Sequence, residues 1–252
     1  MKKIFLVFLS FLFFVNISQS DEWKMKNKWK VSCGIVDKEA LVVNGKPKKS
    51  YNKNEFKIET ITFKLDKGDI GKCKNDKKKG THGGYGYAGR QEVTTKLYPG
   101  KSIFETDLII KGDSQHRSTI FQIHDGRDYG APPSWVGVGS DWKIKYKFAE
   151  ECKNSDFQKY CEELKEAYFY PDKINRFRAE INYNEEKKVI SVFYYLNDDK
   201  IAKHVQVPIL KKKTDGPYGP NKPYIKIGIY RIGETGSTSY KYDNLVLKNK
   251  KQ

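Results

Sequence analysis

The chain has 252 residues, with 48 Lys and Arg against 31 Asp and Glu and a formal charge of +17. Its 38% hydrophobic and 14% aromatic content exclude a solvated, disordered chain, which has no apolar mass to bury. The length suits one large all-β or α/β domain or two small ones, and no apolar run after the first 17 residues is long enough to span a bilayer.

Residues 1–20 read as an export signal rather than as fold. Lys2 and Lys3 form a basic start, Ile4 to Val15 is an almost unbroken apolar stretch, and Ser18-Gln19-Ser20 puts small residues where a signal peptidase reads. An uncleaved anchor helix is disfavoured because the stretch is short and polar residues follow at once. A lipoprotein anchor is disfavoured because no Cys sits at the cut. A periplasmic or secreted chain is expected, with 21–252 as a single domain. Export agrees with an even set of cysteines, Cys33, Cys73, Cys152 and Cys161. Of the three pairings open to them, Cys33–Cys73 and Cys152–Cys161 are favoured as nearest in sequence. Metal binding is the weaker reading, since there is no C-x-x-C and no neighbouring His pair.

Strand signals then run in order along the chain. Phe56–Leu65 nearly alternates β-branched, aromatic and charged residues. Ser102–Ile110, Thr119–His124, Val136–Val138 and Lys143–Phe148 continue the series, followed by Arg176–Tyr183, Val189–Leu196, Lys203–Ile209, Tyr224–Tyr230 and Tyr242–Leu247. Asn184-Glu185-Glu186-Lys187 and Asn197-Asp198-Asp199-Lys200 have the composition of hairpin turns. One segment departs from this rhythm: Ser155-Asp156-Phe157-Gln158 has capping-box form, Lys159–Tyr168 looks helical, and Pro171 ends it. The expected fold is an all-β jelly roll, a concanavalin-like sandwich, with a short helical insertion stapled at Cys152 and Cys161.

The positive charge favours polyanionic partners. Runs such as Lys46-Pro47-Lys48-Lys49, Lys77-Lys78-Lys79 and Lys211-Lys212-Lys213 also fit an ordinary solvated, lysine-rich surface. An exported protein rarely meets nucleic acid, so an acidic polysaccharide is the expected partner. A monomer with no membrane insertion after signal removal is expected.

Period 2 picks out three segments, because alternate residues of a strand share a face. In Tyr224-Ile-Lys-Ile-Gly-Ile-Tyr230, the three Ile suit the core, while Tyr224, Lys226, Gly228 and Tyr230 face the other way. A Lys beside a phenol favours the phenolate, and Gly228 leaves room for a close approach to the backbone. In Phe121-Gln122-Ile123-His124, an amide and an imidazole project together, with Asp125 available to orient the ring. Arg90, Glu92 and Thr94 share a third face, and Arg is the natural bidentate partner of a carboxylate. Alone, these segments are more often a wet sheet face, a structural His and a cross-strand ion pair. Together they suit β-elimination from a uronic acid polymer. Arg90 and Gln122 would neutralise the uronate carboxylate. His124 or Tyr230 would take the C5 proton, Tyr230 would protonate the leaving oxygen, and Lys226 would tune it or hold substrate.

These segments resemble the signatures of jelly-roll polysaccharide lyases. Alginate lyases of family 7 carry R-x-E-x-R, Q-I-H and Y-x-K-x-G-x-Y in this order, and the heparin lyase I-like group has a similar His and a Lys four residues before a Tyr. The resemblance implies a concave groove with His124 and Tyr230 catalytic. It departs at Thr94, which stands where the alginate lyase motif has its second Arg. Ile229-Tyr230-Arg231 likewise replaces an Asn-Gln ending, which favours the heparin lyase I-like or glucuronan lyase side. Tyr224, Glu92 and Arg231 are further expected contacts to substrate. In the loop after the His, Arg127 suits a carboxylate or sulfate and Trp135 suits stacking on sugar. Gly80–Gly89 reads as a flap over the groove.

No metal or organic cofactor is required. A glycoside hydrolase on the same fold would need paired carboxylates, and Glu105-Thr-Asp107 is followed by Leu108, Ile109 and Ile110 without a third acid. The serious alternative is a non-catalytic acidic-glycan-binding module, which would keep the basic face without needing both His124 and Tyr230. A lysine-rich envelope protein with no glycan site is the third.

Overall fold

The computed structural model describes residues 22–32, 41–47, 55–71, 88–112, 118–125, 132–139, 141–148, 161–209, 222–232 and 236–250. The expected export signal, three of the four cysteines, the Lys77 and Lys211 runs, Arg127 and most of the expected flap lie outside these residues. Among the described residues the chain is all β. Its strands are β1 (Lys24–Met25), β2 (Lys28–Val31), β3 (Leu41–Val43), β4 (Lys46–Pro47), β5 (Phe56–Lys57), β6 (Ile61–Leu65), β7 (Ala88–Lys96), β8 (Gly100–Gly112) and β9 (Ser118–His124). They continue as β10 (Ser134–Val138), β11 (Ile144–Phe148), β12 (Cys161–Glu163), β13 (Ile174–Asn184), β14 (Val189–Leu196), β15 (Asp199–Pro208), β16 (Tyr224–Ile232) and β17 (Thr238–Lys250).

Two antiparallel sheets form a jelly-roll sandwich. One has ten strands, in the order β12-β15-β14-β13-β8-β17-β6-β3-β4 with β1 also on β17; the other has seven, in the order β11-β10-β9-β16-β7-β2-β5. Alternation supplies the interior. Phe104, Phe177 and Tyr194 of the large sheet meet Phe121 of the small one at ring separations of 5.0, 5.7 and 5.9 Å, and Trp29 reaches Phe104 at 6.3 Å. The expected strand 56–65 is split: Phe56–Lys57 pairs in the small sheet and Ile61–Leu65 in the large one. The Asn197-Asp198 turn has φ of 50° and 70°, the left-handed pair whose twist matches a tight hairpin.

The expected helix does not form in its described part. Cys161–Glu163 is instead an edge strand on β15, with Glu162 opposite Lys203, and Tyr168 bridges to Lys143. The edge of β15 offers the segment a ladder of backbone partners, which overrides its local helical pattern.

The interior is not purely apolar. Three buried tyrosines of the large sheet send hydroxyls across to the small one: Tyr240 to Ser118, Tyr194 to Ser134, and Tyr242 to the Ile120 carbonyl at 2.7 Å. Ser134 also meets Nδ1 of His204, which is fully buried. Burial raises the hydroxyl pKa of all three tyrosines and holds His204 down to about 3.

Candidate active site

The candidate residues lie on three adjacent strands of the seven-stranded sheet, β7, β16 and β9. Ile225, Ile227 and Ile229 point into the core with no more than 1% exposure, so Tyr224, Lys226, Gly228 and Tyr230 occupy the outer face, as alternation requires. The register pairs Arg90 with Tyr230, Glu92 with Gly228, and Thr94 with Lys226 on one side of β16. On its other side Gln122 faces Lys226 and His124 faces Tyr224. Trp135 on β10 lies opposite Gln122, half-buried, its indole N–H donating to the Thr119 hydroxyl at 2.6 Å.

Glu92 is the centre of this face. It is 1% exposed, and its carboxylate takes a hydrogen bond from Gln122 Nε2 at 2.6 Å. Arg90 Nη1 lies 3.5 Å and Lys226 Nζ 3.4 Å from its other oxygen. A carboxylate only accepts, so the Gln122 amide must present its nitrogen to Glu92; the second N–H of that nitrogen remains directed elsewhere. Two cations and one carboxylate leave the cluster with a net positive charge. The Arg90 guanidinium also lies over the Tyr230 ring, 4.2 Å from its centre. Thus Arg90, Glu92, Gln122, Lys226 and Tyr230 form one contiguous set.

His124 belongs to a neighbouring pair. Its ring stacks on Tyr224, with centres 5.2 Å apart and planes within 8°. Six positions separate Tyr224 from Tyr230, roughly 20 Å of extended strand, so the register sets His124 and Tyr230 at opposite ends of the row. Asp125 is buried beside His124.

Two expected contacts to substrate are corrected. Arg231 comes one residue after Tyr230 and therefore turns inward. It is 2% exposed and its guanidinium donates to the backbone carbonyls of Asp66 and Gly236. Glu92 is enclosed by its cations and serves them rather than facing solvent. Gly228 does admit a close approach, but of another strand. Its φ is +133°, and a Cβ there would collide with the Gln91 carbonyl of β7. The β9–β16 ladder slips at this point, between Ile227 and Arg231, and Tyr242 fills the break: its hydroxyl accepts from Gly228 N–H at 3.3 Å and donates to the Ile120 carbonyl. Glu105 and Asp107 lie on the outer face of the other sheet, bound to Lys248 and Asn244, and form no hydrolase pair. A small cavity there, lined by Glu105, Arg176, Arg178, Tyr195 and Asp198, contains the Arg176–Asp198 ion pair.

Lys28, Lys30, Lys57 and Lys96 were not foreseen on this face. Lys30 lies opposite Thr94 and Lys57 opposite Lys28. The alternation around buried Trp29 was the available signal, but the segment is too short to read as a strand. Among the described residues no group of His, Cys, Asp and Glu is arranged to hold a metal, and no helix is long and apolar enough to cross a membrane.

No family model and no curated relative matches the sequence. Solved structures align with it. The alginate lyase AlgAT5 from polysaccharide lyase family 7 aligns with a TM-score of 0.49 and 15% identity over 88% of this chain and 94% of that one. The family 7 alginate lyase AlyA1 from Zobellia galactanivorans gives 0.49 and 15% over 88% and 95%. The binding domain of botulinum neurotoxin DC in complex with SialylT gives 0.44 and 10% over 93% and 44%. These are similarities of fold.

Proposed function

We propose that the protein is an exported polysaccharide lyase that cleaves a uronic acid-containing polymer by β-elimination. The observation that carries this reading is the contiguous outward set around Glu92, in which the guanidinium of Arg90 rests on Tyr230. A uronate carboxylate drawn to Arg90, Lys226 and the second N–H of Gln122 would have its charge neutralised, which is what makes the C5 proton removable. Tyr230, next to Arg90, is then the group best situated for proton transfer. Its oxygen takes the C5 proton, the C–H electron pair forms the C4–C5 double bond, the C4–O bond breaks, and the departing oxygen takes a proton from the same hydroxyl. His124 and Tyr224, at the other end of the row, would hold a sugar further along the same chain, with Trp135 flanking the row.

Incubation with a panel of acidic polysaccharides, with ultraviolet absorbance of the unsaturated product as the readout, tests this. Tyr230→Phe is expected to abolish product, and His124→Ala to raise KM more than it lowers kcat. Polymer binding without product from the parent chain would select a non-catalytic glycan-binding module instead. An equal loss of kcat in both variants would return His124 to the role of base.

A further inference from the structure

The two outer faces of the sandwich handle charge differently. On the ten-stranded sheet five outward cations are matched to acids: Arg176 with Asp198 at 3.2 Å, Arg178 with Glu180 at 3.5 Å, Lys203 with Glu162 at 2.6 Å, Lys241 with Asp243 at 2.7 Å and Lys248 with Glu105 at 3.7 Å. The seven-stranded sheet gathers cations with few acids. Trp29 is buried, so Lys28 and Lys30 point outward beside it. Lys57 lies opposite Lys28. Lys30 lies opposite Thr94, which brings Lys28, two residues earlier, opposite Lys96, two residues later. Lys96 in turn faces Tyr224, and Tyr224 faces His124. One row across five strands therefore reads Lys57, Lys28, Lys96, Tyr224, His124. Among the described residues no carboxylate is within ion-pair distance of Lys28, Lys57 or Lys96, and Lys96 rests over the Tyr98 ring at 4.9 Å. Among the described residues the acids at this end include Glu55, which interacts with Lys30, Glu92, already held by Arg90 and Lys226, and Asp125, buried beside His124.

The geometry points to Lys57, Lys28 and Lys96 as a binding track for an acidic glycan chain that crosses the strands and enters at Tyr224 and His124. Neighbouring strands lie about 4.8 Å apart, close to the advance of one pyranose along its polymer. A chain laid across the sheet thus meets one strand per sugar and, over β5, β2 and β7, one ammonium per strand. The ligand class this selects is a polymer with an anionic group on each consecutive ring, since isolated charges would leave most of the track unused. The inference rests on reading the seven-stranded sheet as the glycan-binding face.

The test is affinity without turnover. Binding of polyglucuronate to the mature chain in the Tyr230→Phe background would be measured by titration calorimetry at about 50 and 200 mM salt, the range over which charge-driven binding changes steeply. Lys28→Gln/Lys57→Gln/Lys96→Gln is expected to weaken binding about tenfold at the lower salt and to flatten the salt dependence. The charge-matched variant Lys203→Gln/Lys241→Gln/Lys248→Gln, on the opposite face, is expected to change it less than about twofold. Equal losses in the two variants would reduce the effect to net charge and overturn the track. So would wild-type affinity in the first variant, or tighter binding of single-stranded DNA than of polyglucuronate at the same salt. A parent chain that binds along this row yet forms no product sinks the lyase reading and leaves the track standing.

Discussion

Glu92 shows how one buried acid organises a cationic face. It neutralises part of the charge of Arg90 and Lys226, whose side chains are 16% and 9% exposed, and it orients the Gln122 amide. Glu92→Gln keeps the shape and removes the counter-charge. The expected consequence has two opposite signs. Unfolding free energy falls by about 2–4 kcal/mol, because two largely buried cations lose their partner, and thermal denaturation reads this as a lower Tm. Affinity for a polyuronate at low salt rises, because the cluster gains one net positive charge. At this scale the sequence was informative about which side chains share a face, since alternation alone put Arg90 and Glu92 together and set Tyr224, Lys226 and Tyr230 opposite the three Ile. It was silent on the distance between them along the row. His124 and Tyr230 look close in a motif and lie apart in a register, because pairing offsets between strands are decided by packing of the whole sheet.

Among the elements, β9 and β16 carry the most information. Their ladder is broken where Gly228 takes φ of +133°, and the break is sealed by a hydroxyl arriving from the opposite sheet. A slip of this kind next to a site re-aims the side chains just beyond it, and the outward one just beyond Gly228 is Tyr230. Tyr242→Phe leaves the Gly228 N–H and the Ile120 carbonyl buried without this partner. The expected cost is about 1–3 kcal/mol, read as a lower denaturant midpoint at unchanged m-value. No residue of β16 or β9 announces the break, because Gly228 fits equally an open approach for ligand, and Tyr242 lies in a strand of the other layer. Arg231 was legible by the same alternation that set Tyr230 outward, and only its neighbourhood to the motif argued for the site. The Cys161–Glu163 strand was hidden because its pairing partner, β15, comes about forty residues later, beyond the reach of local pattern.

For the whole molecule, the polar interior sets the response to acid. His204 is fully buried against Ser134 and holds its pKa down to about 3, below the ordinary imidazole value of 6.5, because burial penalises its charged form. The unfolded chain therefore binds a proton that the folded chain refuses, and each pH unit lost between 6.5 and about 3 removes up to about 1.4 kcal/mol of stability. His204→Gln, which removes the titrating group, is expected to flatten the stability–pH curve measured by urea unfolding across that window. The tyrosines that cross the interior have a wider consequence. Tyr194, Tyr240 and Tyr242 act as pegs of one layer seated in sockets of the other, so the two layers cannot shear. A filling of phenylalanine would conserve volume and lose this joinery. Such a protein would keep its far-ultraviolet circular dichroism and lose its near-ultraviolet signal, a sandwich whose slices slide.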